Sequence, residues 1–183
     1  MASDIVKFYR GGKNGNGYSL EDMWAFNYNE MEHIHDYIQW MFPMVEPDYW
    51  NRDTPKLTDE DVKAFKRSKA IMGRVAESFY VILEFWGLRV EVKSGIIVVT
   101  RRESYQDMSK QWQTGTNHNF LRVTRVLHCL NDLGLRKMAL AFHKALISAA
   151  KENPERFNET SISCWENAMV KDMKGREYRK ETV

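Results

Sequence analysis

Between Asn117 and Arg136 the sequence sets Asn117, His118, Asn119, Arg122, Arg125 and His128 into an otherwise strongly apolar stretch. The planar guanidinium fork suits bidentate contact with a carboxylate or a phosphate, and amides and imidazoles add donors and acceptors. Wound at 3.6 residues per turn, Phe120, Val123, Leu127, Leu130 and Leu133 form one stripe, widened by Leu121 and Val126. Arg122, Arg125, Cys129, Asp132 and Arg136 form another. Two guanidiniums one turn apart repel each other unless they face water or share an anion. Either they hold an anionic ligand, or each is neutralised inside the fold, with Glu84 and Asp36 as candidate partners. Asn117 stands near the helix start, where unsatisfied backbone N–H groups and the positive end of the dipole favour an anion. Asn117, His118, Asn119, Arg122 and Arg125 are therefore candidate ligand-binding residues, with Arg122 expected to meet the ligand and Arg125 to form the internal pair. A second polar group, His35 and Gln39 on one helix face with Glu32 nearby, lies beside Trp40 and completes the candidate set.

Catalysis is the competing reading. Arg122 and His128 have the loose R-x5-H spacing of helical ribonucleases of the HEPN class, in which arginine steadies a phosphate and histidine moves a proton. Val123 stands where those enzymes usually carry a polar residue, and no Ser/His/Asp order or paired-acid motif accompanies it. His33 and His35 diverge on a helix, and no HxxxH or CxxC spacing exists, so no metal or other cofactor is implied. The glycine-rich Gly11–Gly17 stretch lacks the GxxxxGK[ST] order and a preceding strand, and reads as a plain loop. The residues favour a recognition module over an enzyme.

The elements that position these groups are mostly helical. Ser3 can cap a helix to Arg10, and Ser19 one that turns Met23, Trp24 and Phe26 inward. Asn29 with Glu32 suggests a capping box for a helix carrying Met31, Ile34, Ile38 and Met41 as far as Pro43. Three of the four prolines and Tyr49 and Trp50 then mark a packed loop to Leu57. Thr58 precedes an acidic first turn, and Ser68 caps a helix ending at Gly87. Alternation over Leu88–Val99 around Ser94-Gly95 reads as a hairpin. Helices follow near Ser104–Trp112, from Asn117 to Leu133, and from Leu135 to about Asn153, the last packing Met138, Leu140, Ala141, Leu146, Ile147 and Ala150. Ile162, Trp165, Met169 and Met173 mark a final helix before a charged, frayed tail from Lys174. The pattern predicts a mainly α, single compact domain of seven or eight helices with one small β-hairpin. Residues 1–160 would form it, and 161–183 would be a helix and tail packed on or extending from it.

Composition agrees. A chain of 183 residues, 43% hydrophobic and 28% charged, can bury about 70% of its unfolded surface without disulfide or metal. Two cysteines without CxxC spacing suit a reducing cytoplasmic or nuclear setting, and no apolar run of about 18 residues exists to insert in a membrane. The net charge of +2 hides an asymmetry: residues 1–60 carry 5 basic and 11 acidic side chains, whereas residues 61–183 carry 22 and 14. The basic half could meet an acidic partner, and nucleic acid is permitted but not indicated, since no run of five basic residues occurs. Oligomeric state leaves no mark in the sequence.

Three motifs in order, His35-Asp36-Tyr37-Ile38-Gln39-Trp40-Met41-Phe42-Pro43, Leu83-Glu84-Phe85-Trp86-Gly87-Leu88-Arg89 and Asn117 through Leu127, make the chain resemble the opioid growth factor receptor conserved-region family. Phe8-Tyr9-Arg10 and a Leu-Gly-Leu after the arginine helix extend the resemblance over roughly residues 5 to 150. It implies an all-helical binding domain whose animal relatives look like nuclear-envelope-associated receptors for an enkephalin peptide. The chain shows one tryptophan, Trp24, where the family often has a pair, and a hairpin richer in β-branched residues.

Overall fold

The computed structural model describes residues 2–45, 55–172 and 175–178. Tyr49, Trp50 and Met173 lie outside them. The chain is mainly α-helical and divides into two compact units, Met1–Phe85 and Trp86–Val183.

In the first unit, α1 (Asp4–Tyr9) is capped by the Ser3 hydroxyl and α2 (Leu20–Trp24) by a Ser19/Asp22 capping box. The expected long helix up to Pro43 is two short ones, α3 (Tyr28–His33) and α4 (Tyr37–Met41). Asn27 and Glu30 form the α3 capping box in place of Asn29 and Glu32, and Ile34 turns extended (ψ 119°) and ends the helix. His35 therefore precedes the helix that carries Gln39, and the face they were expected to share is not built. A Thr58/Asp61 box starts α5 (Asp59–Arg67), and Ser68 Oγ accepts the Ile71 N–H in the first turn of α6 (Lys69–Phe85). Phe8, Tyr9, Phe65 and Phe79 are fully buried here. Trp24, expected to turn inward, and Trp40 are both only half-buried. Trp24 Nε1 donates to Ser78 Oγ at 2.9 Å under the Arg74 guanidinium, and Trp40 lies 5.0 Å from the Phe8 ring.

The second unit opens at Trp86, and the next residue, Gly87, stops α6 with a φ of +74° and admits Tyr105 by its missing side chain: a Cβ there would come within 2.8 Å of the Tyr105 Cα. Strands β1 (Leu88–Lys93) and β2 (Ile96–Arg101) pair antiparallel from Leu88↔Arg101 to Lys93↔Ile96. Ser94 and Gly95 both take positive φ, as a type I′ turn requires. Then come α7 (Tyr105–Trp112), α8 (Asn119–Asp132), α9 (Arg136–Glu152), a 3-10 turn at Pro154–Arg156, and α10 (Glu159–Val170). Helix α8 lies against α9 and α10, and β2 rests on α9, which supplies the apolar cover an isolated hairpin lacks. Among the described residues the helices number ten, more than the seven or eight expected, because the short capped helices before Pro43 read as continuous periodicity. Two apolar residues assigned to the core are exposed, Leu121 at 68% and Leu140 at 43%. No helix is long and apolar enough to cross a membrane among the described residues.

Candidate functional site

Helix α8 is buried over most of its circumference, so its polar residues are inside the protein and must find partners there. The Asn117 side chain organises its start. Its Oδ1 accepts the backbone N–H and the side-chain Nδ2 of Asn119, both at 2.9 Å, while its Nδ2 donates to Gln111 O and Thr114 Oγ1. The Phe120 and Leu121 N–H groups go to the carbonyls of Asn117 and His118. The first-turn amides expected to await an anion are thus satisfied within the chain, because Asn117 folds back over the turn.

Asn119 is fully buried, and its Oδ1 accepts two donors, the indole N–H of Trp86 at 3.2 Å and Arg122 Nη1 at 3.1 Å. Two further tryptophans brace this end: Trp112 Nε1 donates to Trp86 O and Trp165 Nε1 to Phe120 O, each at 3.2 Å. Trp86 stacks on Phe142 at 5.6 Å, and Phe120 on Phe157 at 5.6 Å. The result is a rigid aromatic frame around the Asn117–Asn119–Arg122 chain of hydrogen bonds. Arg122 and Arg125, 5% and 6% exposed, are both interior groups, so the expected division into an outward Arg122 and an inward Arg125 does not appear as a difference in burial. His118 and Leu121 are the exposed side chains of the first turn, with Asn117 half-buried.

The sequence signals missed the other end of α8. Within the tail expected to fray, the described residues 175–178 return to α10 through an antiparallel bridge, Lys171↔Glu177, with Tyr178 N–H donating to Val170 O. Tyr178 Oη donates to Asp132 Oδ1 at 2.8 Å and lies 3.5 Å from His128 Nδ1. An aromatic residue within a charged tail was the one available hint. Burial holds the His128 imidazole down at about 4, against the pull of the Asp172 carboxylate and with the Arg125 guanidinium reinforcing it. The Cys129 thiol and the Tyr178 hydroxyl are both pushed up, chiefly by burial. His128 is therefore neutral and enclosed at neutral pH, which does not favour the R-x5-H ribonuclease alternative.

The remaining candidates, His35, Gln39 and Trp40, sit in the first unit. His35 is exposed, Trp40 half-buried, and Gln39 buried with its Oε1 lacking a hydrogen-bond partner among the described residues. Asp36, a candidate arginine partner, accepts from Asn16 Nδ2. No group of His, Cys, Asp or Glu residues suited to a metal ion occurs among the described residues.

Comparison with known proteins adds a family. The model of the opioid growth factor receptor conserved region matches residues 6–181. The human opioid growth factor receptor is 38% identical over 125 residues, covering 66% of this chain and 18% of that protein. The mouse receptor is 37% identical over 123 residues, 66% of this chain and 19% of that protein. The rat opioid growth factor receptor-like protein 1 is 31% identical over 131 residues, 68% of this chain and 27% of that protein. The chain thus spans about a fifth to a quarter of the length of these relatives. No solved structure matches.

Proposed function

We propose that this chain, which belongs to the opioid growth factor receptor conserved-region family, is a non-catalytic binding module recognising a peptide or other anionic ligand at the start of α8. The observation that carries the reading is the exposed pair His118 and Leu121 on a turn fixed from beneath by Asn117, Asn119 and Arg122. A preorganised surface loses little freedom on binding. His118 supplies a donor for a carboxylate and Leu121 an apolar contact. In this reading Arg122 and Asn119 position the surface, and His118 and Leu121 touch the ligand. On the first unit, exposed His35 and half-buried Trp40 remain candidates for ligand contact, whereas Gln39 is buried in α4.

The names of the relatives support a peptide ligand, and an enkephalin pentapeptide is the first probe. The free thiols, buried Cys129 and exposed Cys164, fit a reducing cytoplasmic or nuclear compartment. Calorimetry of the full chain with the pentapeptide should give saturable heat that His118→Ala with Leu121→Ala removes. Incubation with single-stranded RNA should leave the RNA intact, and cleavage lost on His128→Ala would replace this reading with the nuclease one.

A further inference from the structure

A second patterned surface of the second unit lies on α9. Along α9 the exposed or half-exposed side chains Lys137, Leu140, Lys144, Ile147 and Lys151 alternate at three- and four-residue spacing. That is a seven-residue repeat that sets lysines and apolar residues in alternation along one helix face. The lysines are spaced about 10 Å apart along the axis. They have no ion-pair partner among the described residues, and the apolar positions between them, with Leu140 at 43% exposure, face outward. A stripe kept only for solubility has no need of Leu140 and Ile147 in register with the charges.

The neighbouring face of the same helix is concave. Ala145, Ser148 and Ala149 are small, and they line a recess of about 330 Å³ together with Leu88 and Val99 of the hairpin and Tyr105 and Trp112. This volume is at the lower end of ligand pockets (about 300 to 1,000 Å³), enough for one bulky anchoring side chain. At the rim Arg101 Nη2 holds Glu152 at 2.7 Å and lies 4.6 Å from the Tyr105 ring centroid, so the wall is fixed before anything binds.

We propose that the α9 seam docks an acidic amphipathic helix of a partner protein, with carboxylates against Lys137, Lys144 and Lys151 and one apolar side chain entering the groove beside Ala145. Charge complementarity selects this occupant: the seam offers cations and apolar residues in helical register, which an acidic amphipathic helix matches. A nucleic acid fits less well, because Tyr105 and Trp112 are buried instead of being displayed for base stacking. The proposal is independent of the α8 surface, whose probe is a different peptide.

The test titrates the full chain with a blocked peptide about fifteen residues long, with leucines at three- and four-residue spacing among glutamates. Its charge-reversed lysine version and a single-stranded oligonucleotide are run alongside. The glutamate peptide should bind in low salt, weaken steeply as salt rises, and lose at least about tenfold in affinity on Lys144→Glu with Lys151→Glu. Ala145→Phe should weaken it separately by plugging the groove, while Lys63→Glu should not. The lysine peptide should not bind. Failure of the glutamate peptide to bind in low salt, equal binding by the double variant, or tighter lysine-sensitive binding of the oligonucleotide overturns the proposal.

Discussion

Trp86 and Asn119 meet inside the second unit, indole N–H to carboxamide oxygen at 3.2 Å, and Arg122 converges on the same oxygen. Replacing Asn119 by alanine would remove the acceptor that both donors share. Each buried hydrogen bond so lost costs about 1 to 3 kcal/mol. Asn119→Ala should therefore lower unfolding free energy by about 2 to 4 kcal/mol in urea titration. A loss below about half a kcal/mol would show that this junction holds nothing together.

The two arginines should behave alike. Both are interior, so Arg122→Ala and Arg125→Ala should each destabilise by about 3 to 5 kcal/mol if their partners are left as uncompensated charges. Sequence periodicity assigns Arg122 to a ligand and Arg125 to the core, and equal burial removes that distinction. Thermal unfolding of the two variants decides it: a fully stable Arg122→Ala would restore Arg122 as an outward ligand contact.

The tryptophans should separate by burial. Trp86→Ala should cost about 3 to 5 kcal/mol, as for a fully buried aromatic. Trp40→Ala, which exposes one face of Phe8 and empties a half-open site, should cost about 1 to 2 kcal/mol. Denaturation midpoints of equal shift would contradict the burial described for Trp40.

Stability should also respond to His128. Its folded-state value of about 4 lies below the ordinary 6.5, so the unfolded chain binds the proton more readily. The stabilisation is complete above pH 6.5 and is lost as pH falls toward 4, by up to about 3 kcal/mol. His143 is also lowered by burial and contributes in the same sense. His128→Gln should flatten the unfolding free energy between pH 6.5 and 4; an unchanged pH profile would place the acid sensitivity elsewhere.

Much of this was legible in the residues. Ser3, Ser19, Thr58 and Ser68 each announced a helix start, because capping is chemistry between neighbours in sequence. Ser94-Gly95 announced the hairpin for the same reason. The break between His33 and Tyr37 was not legible, since Met31, Ile34 and Ile38 keep helical spacing while the backbone at Ile34 turns extended. Nor was the inward turn of both arginines, since the Trp86 indole that shares the Asn119 acceptor with Arg122 lies 33 positions from Asn119. Tyr178 reached Asp132 across 46 positions, beyond any local signal.

The central claim is that the start of α8 is a ligand surface. Backbone and side-chain NMR of the full chain during titration with an enkephalin pentapeptide tests it most directly. The account predicts saturable shifts at His118 and Leu121, carried through Asn119 to the Trp86 indole N–H, and absent in His118→Ala with Leu121→Ala. Saturable shifts confined to other residues, or none at millimolar peptide, would contradict it.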